Sequence, residues 1–591
     1  MKFISILFRT KKLIPVIIGI ICLLMVQAYC ELMLPRYMSR IVDEGVMQVS
    51  LSGGTANQMM AAIKEPGLGM LLFACIAIVV AVLIGLLASL SAASIGRRLR
   101  RETFEHVMAF SNAEMDRFSA ASLITRSTND IQQIQMAIVM FLRMVLFSPA
   151  MAVGGIIMVS RTDVGLSWIV IVAVVSLLAV IGILLGITMP KFKRMQPLID
   201  GVNLVSREIL TGLPVIRAFC REDFERERFD KANTELYETQ LFTNRAMSLF
   251  FPIIMVIMNV VSIGVVWFGG ENIAADPNGM QVGDLMAFIT YTMIIVFSFM
   301  MLSMVTVMLP RASVAADRVM EVIATESSIV DREGAEGQDI SNNNNEIRFE
   351  DVSFRFHDAE ADTLSHITFA AEPGQTTAII GGTGSGKSTL VHLIPRLFDV
   401  TGGRLTVGGV DVRDLPQKTL RARIGFVPQK GMLFSGTIES NIKYAGPQVT
   451  DGDMRQAAAV AQAADFIEEK EDGFESEVAQ GGSNVSGGQR QRLAIARALA
   501  GKPPILIFDD SFSALDFRTD AALRRALAEN VAGATVIIVA QRVATILRAD
   551  KIVVLDEGKV VGIGTHRELL GTCGVYREIA ASQLSEKELS A

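Results

Sequence analysis

Residues 376–390 read TTAIIGGTGSGKSTL, and this stretch decides the architecture of the C-terminal half of the chain. An apolar run leads into a loop spelling GxxxxGK[ST] (Gly381, Gly382, Thr383, Gly384, Ser385, Gly386, Lys387, Ser388), and Thr389 continues into a helical stretch. A strand, a glycine-rich loop and a helix in that order make a phosphate cradle. The glycines let backbone amides close around oxygens, and the helix N-terminus adds partial positive charge. Lys387 is placed to reach β- and γ-phosphates and Ser388 to ligate Mg²⁺, so the expected ligands are ATP and Mg²⁺.

Working outward, a second strand, PILIFD, ends at Asp509, a carboxylate suited to hold Mg²⁺ through water, and Asp510 follows it directly. Between the two strands lies NVSGGQRQRLAIARALA, in which Ser486, Gly487, Gly488 and Gln489 open a helix. These residues form a second anion-binding nest, for which one domain has no use at a single nucleotide. Short β-rich runs (TTAII, PILIF, TVIIVA) alternate with helical ones, so an α/β nucleotide-binding domain is expected over 346–582, with a tail at 583–591.

The N-terminal half is different in kind. The whole chain of 591 residues is 51% hydrophobic, yet its charges crowd into particular segments. A bilayer core needs about 20 apolar residues in a helix, and six predominantly apolar stretches qualify, at about 13–34, 67–95, 134–160, 164–190, 246–270 and 285–309, with Glu31 near the end of the first and Arg143 inside the third. They define an α-helical transmembrane domain over 1–325, joined to the α/β domain by the acidic, Asn-rich linker 326–345. The start has the basic flank of a signal peptide but no small-residue cleavage site. It reads as an uncleaved first span behind a short amphipathic surface helix using Phe3, Ile4, Leu7 and Phe8.

The segments after spans two and four carry GRRLRRETF and KFKRM, whereas ENIAADPNGMQVGD, between spans five and six, has no Lys or Arg. The positive-inside rule then places both termini, the long loops and the nucleotide domain in the cytoplasm. With 55 basic against 61 acidic residues, no basic field points to nucleic acid. Cys22, Cys30, Cys75, Cys220 and Cys573 are scattered and odd in number, which fits free thiols and not a metal site.

These motifs together resemble a half-transporter of the ATP-binding cassette (ABC) family, of the type IV exporter class. VSGGQ is similar to that family's LSGGQ signature, Gln429 in GFVPQKG to its Q-loop, and SALD (Ser513 to Asp516) to its D-loop. Phe356 falls where the family stacks an aromatic, more often Tyr, on adenine. SEVAQGGSN stands where the exporter pattern has TEVGERG. The resemblance implies a head-to-tail dimer in which each ATP lies between one chain's phosphate loop and the other's signature, so Ser486 to Gln489 would serve a partner's ATP. It also implies coupling helices near 114–125 and 219–229, and Mg²⁺ held by Ser388, Gln429 and Asp509.

Two further departures from the family fall on one nucleotide site. A glutamate that polarises the attacking water is replaced by Asp510, and a histidine that contacts the γ-phosphate by Gln541. Asp510 is shorter by about 1.5 Å, and a misplacement of about 1 Å can cost roughly a hundredfold in rate. Gln541 cannot carry positive charge or relay a proton. The expected protein is therefore an ABC-type ATPase and exporter, the hydrolysis-impaired half of a heterodimer. Alternatives are a homodimeric exporter with slow hydrolysis, since Asp can act as a base, and a nucleotide-gated channel or regulator.

The cargo expected is lipophilic or amphipathic. Met286, Met293 and Met300, with Met304 and Met308, give span six a methionine-rich face, equally suited to a ligand or to helix packing. Asn259 is placed to face a cavity, and Arg143 either to line an entrance or to snorkel to the interface. A bacterial inner membrane is the expected location.

Overall fold

The computed structural model describes residues 5–6, 13–162, 165–275, 280–332, 345–357, 359–531 and 533–584. The chain divides into two units: Met1–Val107 with Ala120–Thr325, and Met108–Ser119 with Glu326–Ala591. The amphipathic segment expected at Phe3, Ile4, Leu7 and Phe8 lies outside the described residues.

In the first unit, six helices among the described residues are long and apolar enough to cross a membrane: Ile14–Leu51, Ala56–Ala109, Ala120–Arg161, Ser167–Ala218, Glu222–Ala274 and Val282–Leu302. Their burial is the reverse of a soluble bundle's. In Ser167–Ala218, the residues Ile171, Val172 and Val175 are exposed, while Ala173 and Leu177 pack inward. A surface this apolar is stable only against lipid. The helices of 54 and 52 residues run roughly 80 Å at 1.5 Å per residue, well beyond a hydrocarbon core of about 30 Å. Their ends therefore leave the membrane, and the end of Ala56–Ala109 carries the i,i+4 pairs Arg98–Glu102 (2.6 Å) and Arg101–Glu105 (2.8 Å).

Inside the bundle, small residues set the spacing. A Cβ on Gly154 would come within 2.3 Å of Leu32 Cδ1, and one on Gly155 within 2.7 Å of Ile295 Cγ1. The glycine pair thus lets three helices approach closely, as packing in lipid requires. Tyr291 adds a buried hydroxyl that donates to the Leu32 carbonyl at 2.9 Å.

The second unit holds twelve strands among its described residues: β1 (Ile347–Phe354), β2 (Leu364–Ala371), β3 (Thr376–Gly381), β4 (Gly402–Val407), β5 (Val410–Asp411), β6 (Ile424–Val427), β7 (Gly436–Thr437), β8 (Glu477–Val478), β9 (Ile505–Asp509), β10 (Thr535–Val539), β11 (Lys551–Asp556) and β12 (Lys559–Gly564). The main sheet has the order β12-β11-β3-β10-β9-β6. It is parallel except for β12. Every residue of β9 and β10 is buried, which is why both read as unbroken apolar runs and not as alternating ones. An antiparallel sheet, β2-β1-β4-β5, packs beside it, with Phe349 stacked on Phe369 at 4.6 Å.

Register places the site. Val539 pairs with both Asp509 and Ile379, so β9 and β10 finish level and β3 runs two residues further to Gly381, at the carboxyl edge where ligands of open α/β sheets bind. The turn between the second and third membrane helices also belongs to this unit. Its short helix Asn112–Phe118 is capped by Ser111, the Ser328 amide donates to Glu114 Oε1 at 3.2 Å, and the Ser111 and Ser328 hydroxyls meet at 3.0 Å.

Candidate functional site

β3 stops at Gly381 and the next helix begins at Lys387. Between them Gly384 and Gly386 take φ of +82° and +90°, which side chains with a Cβ rarely adopt. A Cβ on Gly386 would also stand 2.7 Å from Leu364 Cδ2, whereas one on Gly382 or Gly384 would meet nothing within 4 Å. The loop is thus packed from below and open above, with Gly382, Thr383 and Gly384 exposed and Ser385 buried. Lys387 Nζ is folded into it, donating to the Gly381 and Gly382 carbonyls at 3.0 and 2.6 Å. Burial pushes its ammonium below the usual lysine range, against the pull of Asp510 and Asp509. An open concavity of exposed glycine backbone around an inward ammonium fits a polyphosphate.

Ser388 Oγ donates to Asp509 Oδ1 at 2.9 Å, which brings together two oxygens of the kind Mg²⁺ takes. His392, one turn along the same helix, places Nε2 3.5 Å from Asp509 Oδ2. The sequence reading missed this residue. Its signal is the i,i+4 spacing from Ser388, which sets both side chains on one helix face.

Asp510 is buried and takes φ of +47°, a left-handed conformation that Asp accepts more readily than most residues. Its amide donates to the Val539 carbonyl at 3.1 Å, which turns the side chain toward two glutamines. Gln429 Nε2 and Gln541 Nε2 both donate to the same atom, Asp510 Oδ2, at 3.1 and 2.8 Å. Burial pushes the Asp510 carboxyl above the usual range, while hydrogen bonds from Gln429 and Ser513 pull it back. Three positions distant in sequence therefore meet on one oxygen.

The signature residues form a separate feature. Ser486 caps the helix Gly487–Ala500: its Oγ accepts the Gln489 amide at 3.2 Å, and Gln489 Oε1 accepts the Ser486 amide at 3.1 Å. A Cβ on Gly488 would stand 3.4 Å from the Ala514 carbonyl, so this turn abuts SALD. Among the described residues no hydrogen bond joins Ser486–Gln489 to Gly381–Thr389. Gln491, buried and also missed from sequence, ties the signature helix to the segment bearing Gln429. Its Oε1 accepts the Gly431 amide at 3.1 Å, and its Nε2 donates to the Pro428 carbonyl at 3.4 Å. Phe356 is exposed and set edge-on to Phe354 and Phe398, with centroids at 4.9 and 5.4 Å.

In the membrane unit, Asn259 turns its amide to its own helix, donating to the Met255 carbonyl at 2.8 Å. Met286 and Met293 are exposed and Met300 is half-buried; the side chains of Met304 and Met308 lie outside the described ones.

Comparison with known proteins places these features. The model for the ABC transporter transmembrane region matches residues 16–299, and that for the ABC transporter matches 364–513. An ABC transporter ATP-binding protein of Mycobacterium tuberculosis is 42% identical over 569 residues, 95% of this chain and 94% of the relative. An ATP-dependent lipid A-core flippase of Hahella chejuensis is 32% identical over 503 residues, 84% of each chain. The solved structure of a bacterial Atm1-family ABC exporter with ATP bound matches with a TM-score of 0.79 at 25% identity, covering 98% of this chain and 99% of that one. Six membrane-crossing helices followed by a phosphate-loop α/β domain, shared over nearly the full length of such relatives, mean that this chain belongs to the ABC transporter family.

Proposed function

We propose that the chain is one half of an ATP-driven exporter of a lipophilic or amphipathic molecule in a bacterial inner membrane. Its mate is a second, different half-transporter, and its own ATP site binds well but hydrolyses poorly. The working parts are a membrane domain (1–325), a linker (326–345), a nucleotide domain (346–582) and a short tail. The likeness to lipid A-core flippases supports an amphipathic cargo.

In this reading Gly381 to Thr389 hold the phosphates and Phe356 the adenine. Ser388, Gln429 and Asp509 hold Mg²⁺, which when bound offsets phosphate charge. Ser486, Gly487, Gly488 and Gln489 serve the partner's ATP.

One observation carries the impaired-site reading: two amide donors occupy one oxygen of Asp510. A carboxylate that activates water must reach it and keep a lone pair free to take its proton. Asp510 is short, and Oδ2 is already engaged by Gln429 and Gln541. Gln541, turned toward Asp510, brings no positive charge to a phosphate. Charge-neutral donors around a shortened base favour holding ATP over cleaving it.

Co-expression with the second half-transporter tests the assignment. Removing the partner's catalytic glutamate abolishes turnover of the pair, whereas Asp510→Asn in this chain changes it by less than about threefold. Equal losses from both substitutions would contradict the assignment.

A further inference from the structure

We propose that Arg143 is the anion-binding group of a substrate pocket in the membrane unit, and that the pocket takes an anionic amphiphile, a phosphate or carboxylate on an apolar tail. This inference rests on the exporter reading and names its cargo more narrowly.

The pocket is a cavity of about 280 Å³ lined by Gln27, Ile84, Arg143, Met144, Phe147 and Met301 among others. Apart from Gln27 and Arg143, these six side chains are apolar. The guanidinium carbon of Arg143 lies 4.0 Å from where a Cβ would stand on Gly85, so the charge rests against bare backbone of the second span. Glu65 precedes Gly85 by about 30 Å of helix and Arg97 follows it by about 18 Å, at 1.5 Å per residue. The stretch between them holds no charge. The guanidinium is therefore at hydrocarbon depth.

Arg143 makes no hydrogen bond or ion pair among the described residues. Gln27, beside it in the pocket, donates its amide to Glu31 Oε1 at 2.8 Å. An unpaired guanidinium charge at this depth is expensive unless a cavity or a ligand receives it. The local backbone points the same way: Phe141–Val145 is a π-helical turn, a distortion that recurs at functional sites.

The chemistry selects the ligand. A planar fork of N–H donors pairs two-fold with phosphate or carboxylate, while Met144, Met301 and Phe147 offer a pliable apolar wall for a tail.

The test is equilibrium binding of radiolabelled dodecyl phosphate to the full chain in phosphatidylcholine nanodiscs without ATP, with dodecanol and inorganic phosphate as comparisons. Wild type binds dodecyl phosphate more tightly than dodecanol, and equimolar inorganic phosphate does not displace it. Arg143→Gln weakens dodecyl phosphate by about tenfold or more, Arg143→Lys weakens it less, and dodecanol binds all three equally. Gly85→Leu keeps the charge but fills the space beside it, so both amphiphiles weaken; this arm stands even if the Arg143 variants fail to fold. Undiminished dodecyl phosphate binding by Arg143→Gln, no preference over dodecanol, or displacement by inorganic phosphate overturns the proposal. Without ATP present, failure here leaves the exporter reading intact. Loss of ATP-driven transport with binding preserved would strike that reading alone.

Discussion

The phosphate loop, Gly381 to Thr389, is built from backbone amides and one ammonium, whereas the opposite side of the same site rests on three side chains, Gln429, Asp510 and Gln541. Backbone geometry survives as long as the glycines and the strand register survive. Side-chain geometry is lost with a single methylene. In the function proposed above, Asp510 and Gln541 separate binding from hydrolysis within one nucleotide site, without disturbing the fold that positions either.

The comparison breaks most sharply at Lys387. Lys387→Ala weakens binding of a fluorescent ATP analogue by about a hundredfold, the loss of a charge-assisted contact in a partly desolvated site. Unchanged affinity would mean that the loop does not hold the phosphates. Gly386→Ala is next: a Cβ at φ +90°, 2.7 Å from Leu364 Cδ2, strains the cradle. A destabilisation on the order of 1–3 kcal/mol, read from the unfolding midpoint, is expected, with weaker ATP binding alongside. Normal affinity and stability would show that the loop tolerates rearrangement.

Asp510→Asn is the mildest change and sharpens the contrast. ATP affinity stays within about twofold, because Asn still offers an oxygen to Gln429 and Gln541. Burial raises the Asp510 carboxyl, so the folded state holds its proton more tightly than the unfolded chain does. The wild type then carries a charge penalty at neutral pH and sheds it as pH falls toward the ordinary carboxylate range. The Asp510→Asn variant should therefore melt higher than wild type at about pH 7.5, with the gap narrowing as pH falls. A gap that widens on acidification contradicts the burial argument.

Much of this was legible in sequence, for identifiable reasons. The six spans and the phosphate loop announce themselves through local composition and glycine spacing, and β9 and β10 read as apolar runs because a covered parallel sheet buries both their faces. The Asp509–Asp510 pair and Gln541 were visible as departures from a pattern, but their meeting on one oxygen was not. It depends on β9 and β10 ending level and on Gln491 drawing the Gln429 segment in, contacts between residues dozens of positions apart. The same holds for residues 108–119, whose union with the nucleotide domain runs through Ser328, more than two hundred residues away. At Arg143 the sequence offered two readings, an entrance residue or a snorkelling one, and the cavity beside it was not legible because its lining comes from four different spans.

The most direct test is steady-state ATP hydrolysis by the purified full-length chain without a second half-transporter, beside the double variant Asp510→Glu with Gln541→His. Slow turnover is the expected result, roughly a hundredth or less of the double variant's rate, with ATP nonetheless bound at full occupancy by the wild type. Brisk hydrolysis by the unmodified chain, equal to that of the double variant, would contradict a site that holds ATP while the chemistry proceeds at its partner.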